Sequence, residues 1–256
     1  MGGTMLIKNA DVMYTNALQR TADGFEPQLG TNRLGRFALT GLLLERMLDV
    51  PGSRSVTVSR WDIAKTAPWT SPMPTGRGAY DATAAYAHSK RANLMFTCAL
   101  QRRLASGAHS IAVASHPGGA DTSGSRRSTA ERGIVARALF TGVVRPLLIQ
   151  SADRGAWPTC EQPPTSVAGG EYYGPSGFLK SEGDPTTVSS IAETHDEAAQ
   201  RQLRDFSQEL TGVRYPVQCA TGQTHQLVRR GGDGRAAGAG VARPVRPGGP
   251  TGAAQP

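Results

Sequence analysis

The residues best suited to chemistry in this chain are Tyr86 and Lys90, four apart in the run Tyr86-Ala87-His88-Ser89-Lys90. On a helix that spacing sets both side chains on one face. A free phenol has a pKa of about 10, too high for acid–base work near neutrality. A nearby ammonium stabilises the phenolate and brings Tyr86 toward useful proton transfer. The same two residues could equally be a surface pair on an amphipathic helix, so the spacing alone does not define an activity.

Other chemistries find less support. His88, His109, His116, His195 and His225 form no pair at metal-ligand spacing. Cys98, Cys160 and Cys219 are odd in number and far apart, which reads as thiols in a reducing compartment rather than a disulfide frame or zinc site. No metal centre is expected. The net charge of +8 is uneven, because Arg229, Arg230, Arg235, Arg243 and Arg246 against Asp233 put half of it into residues 218–256. That segment is rich in Gly, Pro and Ala, and the remaining charge forms no stripe, so a solvated tail is expected and not a nucleic-acid surface. No apolar run approaches the roughly 18 residues that span a bilayer. The first residues lack the apolar stretch of a signal peptide. A cytoplasmic protein is expected, with neither nucleic acid nor membrane as its partner.

The elements that must position Tyr86 and Lys90 follow from the pattern around them. With 256 residues, 38% of them hydrophobic, the chain can bury one sizeable core. Met5–Ala10, Arg54–Ser59 and Ser110–Ala114 read as short strands, the last two buried. Thr31–Asp49 is rich in Leu and good helix formers and stops at Pro51-Gly52. Residues 66–80, with three prolines and two glycines, are loop. A long helix is predicted from Tyr80 to Leu104, and a further one over 129–150. Ala168–Tyr173 leads to a turn at Gly174-Pro175. A capping box of Thr194 and Glu197 opens the last helix, whose Ala199, Leu203, Phe206 and Leu210 share a face before Gly212 ends it. Strands alternating with helices give an α/β class, a Rossmann-like, doubly wound parallel sheet over residues 1–217. Residues 218–256 lack periodicity and are expected to be a disordered tail.

Several stretches, taken in order, resemble the short-chain dehydrogenase/reductase family. Ile7-Lys8-Asn9-Ala10-Asp11 is similar to its Asn-Asn-Ala-Gly strand end, and Gly30-Thr31-Asn32-Arg33-Leu34-Gly35 to the helix bearing its catalytic Asn. Val56-Thr57-Val58-Ser59 resembles the strand that ends in its catalytic Ser, and Tyr86 with Lys90 its Tyr-x-x-x-Lys element. Ser115-His116-Pro117-Gly118, with Thr122 beyond, resembles the turn beside the nicotinamide. The stretch Tyr172–Gly177 and the ending from Asp196-Glu197 through Glu209-Leu210-Thr211-Gly212 are similar to the branch of retinol dehydrogenases and protochlorophyllide reductases.

The resemblance implies hydride transfer between NADP(H) or NAD(H) and a small-molecule carbonyl or alcohol. In that scheme Tyr86 exchanges a proton with the substrate oxygen, and Lys90 assists it while holding the nicotinamide ribose. Asn32 anchors a water, Ser59 holds the substrate oxygen, and Asn9, Ala10, Pro117, Gly118 and Thr122 line the cofactor site.

The departures are as informative. The family's first βαβ unit, with its glycine-rich pyrophosphate turn, has no counterpart ahead of Met5. Gly234, Gly238 and Gly240 have a similar spacing, but no strand leads into them and no helix follows. Arg60 stands where the second serine of the pair is expected, which leaves Ser59 on the opposite strand face. Asp11 stands where the resemblance puts a glycine close to the cofactor, a place where a carboxylate crowds and repels it. A strand at Met5–Ala10 without its neighbour offers an edge that a second copy can pair, giving a homo-oligomer. The alternative to an enzyme is a non-catalytic binding relative, or a truncated gene product.

Overall fold

Short runs of β-branched and small residues build the sheet. In the computed structural model, which describes residues 3–13, 18–60, 80–119, 150–160, 167–177 and 180–217, β1 (Met5–Lys8), β2 (Arg54–Val58) and β3 (Ile111–Ser115) pair in parallel. β4 (Tyr172–Pro175) continues the parallel set, and β5 (Pro185–Thr187) closes it antiparallel. The order β1-β2-β3-β4-β5 runs one way, as one half of a Rossmann-like doubly wound sheet does. Most of the helix expected over 129–150, Thr122, and the segment 218–256 lie outside the described residues.

Strand register decides which side chains meet which layer. Leu6, Ser55 and Ala112 are partners across the sheet, and so are Ile7, Val56 and Val113 on the opposite face. Ala112 packs with Phe37, Leu44, Phe96, Leu100 and Leu104 from the helices between the strands. Val56 and Val113 form a second cluster with Tyr173. On β1, Met5 and Ile7 remain 40% and 37% exposed, because among the described residues β1 pairs only with β2.

The helix expected over Thr31–Asp49 begins earlier and is not uniform. It runs as α1 (Pro27–Leu29), a π-helical stretch (Gly30–Gly35), α2 (Arg36–Leu43) and α3 (Glu45–Leu48). Glu26 caps the start with its side chain, and Pro27 suits the first helical position. The long helix α4 (Ala82–Leu104) is opened by Asp81, whose carboxylate accepts from the amides of Thr83 and Ala84. Residues 85–97 are buried without interruption, because the sheet covers one side of α4 and the C-terminal helix packs against another. That is why polar residues such as Ser89, Lys90 and Asn93 are interior.

Two local expectations are corrected. The last helix, preceded by α5 (Ala152–Cys160), is α6 (Glu197–Thr211), and its cap is Asp196 and not Thr194. Asp196 accepts from the amides of Ala198 and Ala199, while Thr194 sits in a 3-10 turn (Ala192–His195) and donates to the carbonyl of Ile191. An aspartate two residues downstream caps as well as a threonine, and the 3-10 turn takes up Thr194 first. Gly212 ends α6 with φ +68°, as the sequence predicts. Gly174-Pro175 is not a turn but the end of β4; Gly174 is required there because a Cβ would lie 1.9 Å from the His116 ring.

Candidate functional site

The polar cluster lies at the carboxyl ends of β1 and β2, where the chain leaves the sheet. Tyr86 and Lys90 occupy the first turns of α4 and are 6% and 2% exposed. The Tyr86 hydroxyl donates to Asp11 Oδ2 at 3.1 Å, and Lys90 Nζ stands 2.8 Å from Asp11 Oδ1. Lys90 Nζ also lies 5.2 Å from the centre of the Tyr86 ring. The sequence places Tyr86 and Lys90 together; the structure adds that both reach for one carboxylate.

The loop after β1 is held from two sides. Arg36, buried at the start of α2, donates to the carbonyls of Asn9, Ala10 and Val58 at 3.2, 2.7 and 2.5 Å. Asn32 accepts from the amide of Val12 and donates to its carbonyl, both at 2.8 Å. Asn32 also donates to Ser89 Oγ, which donates in turn to the carbonyl of Tyr86. Asn32 therefore joins the π-helical stretch, the β1 loop and the helix of Tyr86. A π-turn is a frequent feature of functional sites, since it re-aims a side chain that a regular helix would direct elsewhere.

Ser59 is buried and donates to the carbonyl of Lys90 at 2.8 Å, tying the end of β2 to α4. Arg60 lies beyond it, with its guanidinium 5.8 Å from the Tyr86 ring centre. Pro117 and Gly118 make their own turn after β3. Gly118 has φ +65° and donates to His116 Nδ1, while Gln150 donates to the carbonyl of Pro117. A Cβ on Gly118 would meet the Ser181 carbonyl at 2.4 Å, so glycine is required by space as well as by φ.

The electrostatics are dominated by burial. Lys90 is pulled from its ordinary range down to about 8, mainly by burial, while Asp11 pulls upward and Arg36 and Arg60 add to the lowering. It remains a cation at neutral pH, beside a phenol proton that already has an acceptor. His116 is held down to about 3, first by burial and then by Lys180 and Arg60, and is neutral. Among the described residues, a phenol, an ammonium, two guanidinium groups and one carboxylate thus meet at the strand ends. That set can exchange a proton at an oxygen and hold an anion.

The sequence did not single out Arg36 as part of the site. Its signal is a position four residues after Asn32, on the same helix side, in a segment otherwise composed for packing.

The fold and this cluster define an α/β protein of the Rossmann-like, doubly wound class. No protein-family model matches the chain. It is 34% identical to the Homo sapiens polyprenol dehydrogenase over 217 residues, covering 82% of this chain and 61% of that protein. Over 115 residues it is 44% identical to the Homo sapiens retinol dehydrogenase 11, covering 44% of this chain and 35% of that one. The crystal structure of an uncharacterized protein from Mycobacterium Paratuberculosis superimposes with a TM-score of 0.60 at 31% identity, covering 84% of this chain and 69% of that chain. The chain belongs to the short-chain dehydrogenase/reductase family. It spans about three fifths of the length of the polyprenol dehydrogenase it matches.

Proposed function

We propose that this chain acts on a small-molecule alcohol or carbonyl with NADP(H) or NAD(H), Tyr86 exchanging the proton at the substrate oxygen. The observation that carries the reading is that the Tyr86 hydroxyl and Lys90 Nζ reach the same carboxylate, 3.1 Å from Asp11 Oδ2 and 2.8 Å from Asp11 Oδ1. The residues fit a dinucleotide. Among the described residues two cations, Lys90 and Arg36, face the Asp11 carboxylate, and Lys90 would hold a hydroxyl-bearing group. When bound, the dinucleotide supplies the hydride chemistry. The chain's own residues do the rest. Lys90 holds its charge beside the phenol, Asn32 fixes the loop and helix that bear the cluster, and Arg36 locks the carbonyls of Asn9 and Ala10. Ser59 positions the Lys90 backbone, and Pro117 and Gly118 would line the cofactor in this scheme; Thr122, assigned a cofactor contact by the resemblance, lies outside the described residues.

The names of the relatives, a polyprenol and a retinol dehydrogenase, support an apolar alcohol as the substrate class. Among the described residues no helix is long and apolar enough to cross a membrane. The free thiols of Cys98 and Cys160 support a reducing compartment such as the cytoplasm. Among the described residues β1 pairs only with β2 and leaves Met5 and Ile7 part-exposed, which supports pairing of this strand with a second copy. One observation favours a second reading, a binding relative without catalysis: the carboxylate of Asp11 already holds both reactive groups.

Titration of the purified chain with NADPH and NADH separates the two readings, followed by reduction of an apolar aldehyde. The enzyme reading expects saturable binding, and Tyr86→Phe should lower the rate by about 10²–10⁴-fold with cofactor affinity nearly kept. No binding up to millimolar dinucleotide would remove it.

A further inference from the structure

Asp11 is the residue whose placement the family pattern does not explain. It sits one position past Ala10 and one before Val12, and both neighbours are fixed by other parts of the molecule. Arg36 grips the Ala10 carbonyl, and the Asn32 amide grips both backbone groups of Val12. Residue 11 is therefore held in a short frame whose backbone has little freedom. Its side chain, 26% exposed, turns inward to the Tyr86 hydroxyl and Lys90 Nζ, with Arg36 3.7 Å away.

Those are the two polar groups the site would offer to a ligand. A hydroxyl-bearing ligand needs Lys90 as a donor and the Tyr86 oxygen as a free partner. The Asp11 carboxylate accepts from both. It also offsets one of the two positive charges, Lys90 and Arg36, that would attract a polyanion, so it acts through contact and through the field. We propose that Asp11 is an intramolecular competitor of the dinucleotide, occupying the Tyr86–Lys90 pair until the ligand or a change at residue 11 displaces it. This rests on the dinucleotide reading given above.

The effect follows from population. A carboxylate seated on the pair in about nine molecules of ten leaves one competent molecule in ten, which weakens apparent affinity about tenfold. Because the backbone frame is held by Arg36 and Asn32 and not by Asp11, its removal leaves the loop in place. Asp11→Asn keeps the shape and removes the charge; Asp11→Gly removes the side chain and restores the residue of the family pattern.

NADPH titration by fluorescence of the wild-type chain, Asp11→Asn and Asp11→Gly reads the competition. Circular dichroism melts confirm that each protein is folded, and Asp11→Asn carries the test if Asp11→Gly does not fold. Both variants should bind at least about tenfold more tightly than wild type. Equal or weaker binding by folded variants of a chain that does bind overturns the proposal alone. Absence of binding in all three proteins overturns the dinucleotide reading and this proposal with it. A second measurement needs no cofactor. The ionisation of Lys90, followed by NMR of ¹³C-dimethylated lysines and assigned with Lys90→Arg, should fall in Asp11→Asn relative to the wild-type chain, since the contact with the Asp11 carboxylate and its upward pull are lost. An unmoved midpoint means that Asp11 does not touch Lys90 in solution, and overturns it too.

Discussion

Arg33 and Arg36 stand three residues apart in the same helical run, are 1% and 4% exposed, and lead opposite lives. Arg36 reaches the ends of β1 and β2, where three backbone carbonyls and the Asp11 carboxylate surround its guanidinium. Arg33 points to the seam between α4 and α6, stacked 5.1 and 4.9 Å from the rings of Phe37 and Phe96. It donates to Ser207 Oγ, but among the described residues its Nε and Nη1 have no hydrogen-bond partner. Burial pulls Arg33 down to about 10 and lowers Arg36 as well, with Asp11 pulling Arg36 back up. A buried cation is thus no single kind of feature. In the site it organises a loop, and in the seam it fills space between rings at an electrostatic cost.

The sharpest way to break this comparison is Arg36→Met. The carbonyls of Asn9, Ala10 and Val58 lose their donor together, and a buried acceptor without a partner costs about 1–3 kcal/mol. A loss of about 3 kcal/mol or more is expected in urea unfolding, along with weakening of the Tyr86–Asp11 contact. A loss no greater than that of Arg33→Met would show that the clamp contributes nothing particular.

His116 extends the contrast to a group that burial keeps uncharged. Its ring fills the space left by Gly174 and accepts from the Gly118 amide, fixing the turn of Pro117 and Gly118. Gly174→Ala forces the ring aside, and overpacking of this kind costs about 1–3 kcal/mol by denaturant titration. The pH dependence has a definite sign. The folded-state value of about 3 lies below the ordinary 6.5, so between those limits only the unfolded chain binds the proton. Stability should therefore fall as pH drops from 6.5 toward 3, and His116→Gln should flatten part of that slope. An identical slope in the variant would show that His116 is not buried as described.

How much of this was legible in the sequence depends on whether a feature is local. Tyr86 and Lys90, four apart, had to share a face if that segment was helical, and the strands 54–58 and 111–115 announced themselves by composition. The end of α6 at Gly212 was equally local. β5 and the strand at Gly174-Pro175 were not, since each is decided by what lies across the fold; the cap at Asp196 is local, but Thr194 offers the same signal two residues earlier. Pro185 and Thr187 become a strand only because β4 offers an edge, and Gly174 is extended only because His116 needs its space. Within the site, the sequence marked Asp11 and Arg60 as departures. It could not show that Asp11 would turn toward Tyr86 and Lys90, because that direction is set by Arg36 and Asn32 more than twenty residues away.

The smallest expected effect belongs to Arg33→Met. Methionine keeps an unbranched, polarisable side chain between Phe37 and Phe96, so the ring contacts survive. Removing the guanidinium also removes two nitrogens that are buried without hydrogen-bond partners among the described residues. The one donor lost, to Ser207 Oγ, leaves little behind, because Ser207 still donates to the carbonyl of Leu203. Replacing a poorly satisfied buried charge by an apolar residue of similar length is often neutral or stabilising. A thermal melt should therefore place Arg33→Met within about 1 kcal/mol of wild type or above it. A loss as large as that of Arg36→Met would mean that the stacked guanidinium is as necessary to the seam as its neighbour is to the site, and that the difference between the two arginines is one of partners and not of function.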